Sequence, residues 1–95
     1  MIMQTYTYLD VAKMIDHSLL NPTLTMEDLE AGCRVARLYD AASVCIMPYA
    51  TPVATALLAG STVKRSTTIG FPHGGNATSI KALEARQAVA DGAEE

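Results

Sequence analysis

Few side chains in this sequence are equipped for chemistry, and their spacing limits what that chemistry can be. Asp16, His17 and Ser18 follow one another inside a short apolar stretch, Ile15–Leu19, that runs into Asn21-Pro22. A carboxylate there reads as a helix or loop cap, as a satisfied surface charge, or as a group aimed at a ligand. Ser18 needs no role beyond that of a loop serine. Cys45 lies in an uncharged run, where a cysteine serves first as a small buried hydrophobe and only second as a site residue. His17, His73, Cys33 and Cys45 raise the question of zinc. None falls in a C-x₂-C or H-x₃-H arrangement, so no metal site is expected. Gly70, Gly74 and Gly75 fit neither the P-loop nor the dinucleotide fingerprint, and glycines so placed serve a turn. Lys64 and Lys81 are the lysines one would nominate as nucleophiles. Lys64 opens a strand, and Lys81 sits beside Glu84 in the first turns of a helix, where water would solvate it. Neither is expected to react.

The elements that must position these groups alternate in period. Thr7–Met14 reads as a short helix, with Thr7 as N-cap and Asp10 three residues on. Ile15–Leu19 is a predicted strand whose end carries the polar side chains. Thr25 and Asp28 form a capping-box pair ahead of a helix to about Leu38, with Leu29, Gly32, Cys33 and Ala36 along one face. Ala42–Met47 has no charge and fits a strand buried on both faces, closed by Pro48. Thr51-Pro52 starts a helix that Leu57 and Leu58 finish, and Gly60 suits the left-handed residue beyond it. Val63–Ile69 is the third predicted strand, with an exposed beginning at Lys64 and Arg65. Gly70–Asn76 is a loop, Thr78 or Ser79 opens the last helix to about Ala90, and Gly92 ends it.

Strands alternating with helices at this pace indicate βαβ units and a parallel sheet, either doubly wound or closed into a barrel. A barrel of eight units takes about 250 residues, so 95 residues would hold roughly the first three. Composition narrows the class further. The chain is 49% hydrophobic with a net charge of −3, and its seven basic residues are scattered, against a nucleic-acid partner. Ala41–Ala59 is long and uncharged, but Pro48, Pro52 and its hydroxyl residues break it into strand, turn and helix, against a membrane span. Residues 1–10 lack the features of an export signal, so a cytoplasmic protein with reduced thiols is expected.

At this level the residues become familiar. Ile15-Asp16-His17-Ser18-Leu19-Leu20-Asn21-Pro22 resembles the opening strand of deoxyribose-phosphate aldolases. Ala42-Ser43-Val44-Cys45-Ile46 with Pro48 is similar to their second strand. Thr68-Ile69-Gly70-Phe71-Pro72-His73-Gly74 is similar to the third strand and its loop, and Lys81-Ala82-Leu83-Glu84-Ala85 to the helix that follows. The likeness runs from Val11 onward. It departs at Asp40, where many relatives have glycine, and at Gly75-Asn76, which replaces a stretch richer in threonine.

The resemblance implies an α/β fold of the (β/α)₈ TIM-barrel type, here about its first three βα units. Residues 1–95 would then be the N-terminal part of a single barrel domain. It implies a class I aldolase that cleaves 2-deoxyribose 5-phosphate to acetaldehyde and glyceraldehyde 3-phosphate through a lysine Schiff base, with no cofactor or metal. The family's Schiff-base lysine, its second lysine, its proton-shuttling aspartate and its phosphate loops all belong beyond Glu95. Among the residues present, Asp16 is expected at the C-terminal end of its strand, facing the mouth and supporting an active-site lysine. Ser18 and Cys45 are expected near the substrate. The expected partners are a sugar phosphate and either further copies of the chain or the C-terminal part of the barrel. The alternatives are a noncatalytic partial-barrel assembly module and a segment of another class I aldolase of similar fold.

Overall fold

The computed structural model describes residues 3–95; Met1 and Ile2, part of the stretch read above for an export signal, lie outside them. Helix α1 spans Tyr8–Ala12 and α2 spans Met26–Tyr39. Both begin in the capping boxes expected. The threonine hydroxyl (Thr7, Thr25) accepts the backbone N–H three residues on, and the aspartate there (Asp10, Asp28) accepts the threonine N–H. Helix α2 ends at Asp40, which takes the left-handed conformation at φ 56°. Aspartate tolerates that region better than most residues, and Ala41 N–H closes back onto the Ala36 carbonyl in a Schellman arrangement. Here the side chain also contributes. Asp40 accepts from Lys13 Nζ at 2.8 Å and from the Thr62 hydroxyl, tying α1 to the turn ahead of the third strand.

Strands β1 (Asp16–Leu19), β2 (Ser43–Ile46) and β3 (Lys64–Thr67) form one parallel sheet in the order β1-β2-β3. A 3₁₀ turn at Pro48–Ala50 leads into α3 (Thr51–Leu57), and α4 spans Thr78–Ala90. Each new strand joins on the same side of the last. With right-handed crossovers, that puts α2 and α3 on one face of the sheet. A doubly wound sheet must reverse its strand order to cover both faces. Three strands in unbroken order form an arc as in a barrel, and show no reversal of the kind that marks the middle of a doubly wound sheet.

Helix-facing residues of the strands, Leu19, Val44 and Ile46, are buried with Leu29, Cys33 and Ala36 of α2 and with Ala50, Ala54 and Leu58. Gly32 is where α2 meets β1: a Cβ there would collide with the Leu19 methyl groups. One atom in this core is badly served. Thr51 is fully buried, and among the described residues its hydroxyl has no hydrogen-bond partner. Beyond α4, Gly92 at φ 105° and the Ala93 N–H bond to the Ala88 carbonyl end the helix as expected. Glu95 then runs alongside β3: its N–H donates to the Arg65 carbonyl, and its carbonyl accepts from Thr67 N–H at 3.2 Å. Those two bonds are the pattern of a parallel ladder. No helix among the described residues is long and apolar enough to cross a membrane.

Candidate active site

Side chains alternate between the two faces of a strand, so the register sorts the candidates at once. Asp16 pairs with Ser43 and Ser43 with Lys64; Ser18 pairs with Cys45 and Cys45 with Ser66. These six residues make two rows on the face turned away from the helices. One position beyond the strands, Leu20, Met47 and Thr68 continue the column. With Pro48, Tyr49, Phe71 and Glu84 they line a hollow of about 220 Å³ at the C-terminal end of the sheet. In a barrel this face is the interior and that end is the mouth.

Asp16, Ser18 and Cys45 therefore share one surface, as the sequence suggested, but Asp16 is not where it was expected. It is the first residue of β1, not one near its end, because the polar residues open the strand and Leu19 closes it. At about 3.3 Å per residue it lies roughly 10 Å below Leu19, on the floor of the inner face. The Ser43 hydroxyl donates to Asp16 Oδ1 at 2.8 Å. Ser18 is exposed one row higher, opposite the half-buried Cys45. Ser43 and Ser66 were not singled out from the sequence; laying the three strands side by side with their alternation in phase would have found both.

The remaining candidates separate. His17 faces the helices, lining a mostly apolar hollow of about 240 Å³ with Tyr8, Val11, Ile15, Val35 and Tyr39. His73 is exposed in the loop after β3. Cys33 is fully buried, and burial pushes its thiol pKa up, which suppresses the reactive thiolate. Among the described residues no three of His, Cys, Asp and Glu gather as metal ligands would.

All three lysines are engaged. Lys13 bonds Asp40, and Lys64 Nζ lies 3.6 Å from a Glu95 carboxylate oxygen. Lys81, expected to be solvated, makes an exposed contact that also holds the loop at the mouth. Its Nζ donates to the Gly74 carbonyl at 2.9 Å, and its methylenes pack beneath Gly70 so closely that a Cβ there would sit 2.9 Å from Cδ. Glu84 works with it, accepting the Gly70 N–H at 2.7 Å. Gly70 (φ 64°) and Gly74 (φ 68°) both adopt positive φ, which explains glycine at each. A larger hollow, about 410 Å³ between Tyr49 and the Ile80, Leu83 and Gln87 side of α4, shares Pro48, Tyr49 and Glu84 with the one at the mouth but is lined by no residue of the polar rows.

No protein-family model matches the chain. Individual relatives do. It is 60% identical over 93 residues to a deoxyribose-phosphate aldolase of Rhodopirellula baltica, covering 98% of this chain and 39% of that protein. It is 42% identical over 87 residues to the enzyme of the same name in Clostridium tetani, covering 92% of this chain and 40% of that protein. The tetrameric deoxyribose phosphate aldolase structure from Aeropyrum pernix superposes with a TM-score of 0.84 at 32% identity, over 92% of this chain and 37% of that one. The chain thus spans about two-fifths of the length of the curated relatives it matches. In sequence and in fold it is similar to the N-terminal portion of the deoxyribose-phosphate aldolases, as three βα units of a (β/α)₈ barrel.

Proposed function

We propose that residues 1–95 are the N-terminal part of a single barrel domain that cleaves 2-deoxyribose 5-phosphate to acetaldehyde and glyceraldehyde 3-phosphate. The observation that carries this is the 60% identity, over nearly the whole chain, to a protein of that name. In this chemistry a lysine amine condenses with the substrate aldehyde. The protonated imine then accepts the electron pair of the breaking carbon–carbon bond. The amine comes from strands other than β1–β3, since Lys13, Lys64 and Lys81 are each held in structural contacts. What these strands contribute is one wall of the cavity: Asp16 as a carboxylate facing an incoming cation, and Ser18 and Cys45 beside the substrate. The residues alone are expected to be inactive, and the enzyme to be cytoplasmic and oligomeric, in keeping with the tetrameric relative.

A chimera tests this. Residues 1–95 replace the matching segment of the Rhodopirellula baltica aldolase, and acetaldehyde release from the sugar phosphate is followed. Turnover within about tenfold of the parent, with none from residues 1–95 alone, supports the reading. An inactive but folded chimera contradicts it.

A noncatalytic reading, in which the piece acts only to assemble, draws on one observation: both outer strands offer backbone for pairing, and Glu95 has begun to pair along β3. Activity in the chimera would count against it.

A further inference from the structure

The inner face holds a contact that the aldolase reading does not require. Ser43 is 1% exposed, next to Asp16 in the register, and its hydroxyl donates to Asp16 Oδ1 at 2.8 Å. Alanine or valine would fill a buried strand position without a hydroxyl to satisfy, so the serine is explained by what it bonds. Its partner is otherwise unclaimed. Among the described residues Asp16 forms no ion pair, and Oδ2 accepts no hydrogen bond. The one lysine on the same row, Lys64, lies across Ser43 from it and turns to Glu95.

We propose that Ser43 is a positioning residue. It clamps one carboxylate oxygen of Asp16 and so directs the other toward a cation supplied from elsewhere in the barrel interior. This rests on the reading that the inner face lines a catalytic cavity. A carboxylate free to rotate would present that oxygen in several directions; one held by a buried hydroxyl on the neighbouring strand presents it in one.

The chimera described above serves for the test. Ser43→Ala lowers kcat about tenfold, as expected for losing a hydrogen bond to a charged acceptor, and leaves KM within about twofold. Ser43→Thr, which keeps the hydroxyl, restores most of the rate. In an Asp16→Asn background Ser43→Ala has no further effect, because Ser43 acts only through that carboxylate. Independent, multiplying losses, or a Ser43→Ala variant as active as its parent, would overturn the proposal. The crystal structure of the Ser43→Ala chimera decides it even if the parent shows no turnover, a failure that would instead tell against the aldolase reading. Asp16 is expected to leave its present rotamer; an unmoved carboxylate refutes the clamp.

Discussion

The two faces of the sheet are built from alternate residues of the same three strands, yet they obey different rules. Toward the helices, Leu19, Val44 and Ile46 are packed among α2, α3 and the 3₁₀ turn. Away from them, Asp16, Ser18, Ser43, Cys45, Lys64 and Ser66 form two polar rows. An open sheet that needed its second face only for solubility would have no use for a buried serine or a half-buried cysteine there. The difference teaches that one face holds the fold while the other is laid out as the lining of an interior.

Substitutions on the two faces should separate sharply. Ile46→Ala removes a fully buried side chain between β2 and the helices and should cost about 2–5 kcal/mol in denaturant unfolding. Its neighbour Cys45, replaced by serine, should cost less than about 1 kcal/mol. Equal losses would erase the contrast between the faces. Asp16→Asn should show the opposite profile in the chimera. Turnover should fall roughly 10- to 150-fold, the range for a lost hydrogen bond to a charged group, with the melting temperature little changed. Full activity there would leave the polar rows without a function.

How much of this was visible in the sequence depends on how far apart the interacting residues stand. Both capping boxes could be read because Thr7–Asp10 and Thr25–Asp28 are three residues apart. The Gly60, Gly70, Gly74 and Gly92 turns could be read because each punctuates a periodic segment. The position of Asp16 within β1 could not, because strand limits are set by the neighbour's ladder: the Ile15 carbonyl is already taken by Ala42 N–H, and pairing starts at Asp16 with Ser43, 27 residues on. The loop contact of Lys81 was not legible for a related reason. Its partner is a backbone carbonyl in the Gly70–Asn76 loop, which no pattern of residue types announces.

Two smaller effects refine the picture of the helix-facing side. Thr51→Val replaces an unpartnered buried hydroxyl with a methyl of the same shape, and should raise stability by about 1 kcal/mol in thermal or denaturant unfolding. A loss would show that the hydroxyl has a partner. The smallest effect belongs to acid. Hydrogen bonds from Lys13 and then Thr62 hold the Asp40 carboxyl below its ordinary 3.8, and Thr25 holds Asp28 below the same value. Both carboxylates therefore stabilise the fold above that pH, and the contribution is lost as pH falls through the depressed folded values. Asp40→Asn, which still suits the left-handed cap, should flatten the decline of melting temperature below about pH 4. An unchanged acid limb would mean that the Lys13–Asp40–Thr62 tie carries no net stability.

The most direct measurement is to trap the imine in the active chimera with borohydride and sugar phosphate, and to map the modified residue by mass spectrometry. On the proposed function the polar face is a cavity wall that receives its reactive amine from another part of the barrel, so the adduct should lie outside residues 1–95. A turnover-dependent adduct on Lys13, Lys64 or Lys81 would contradict that outright.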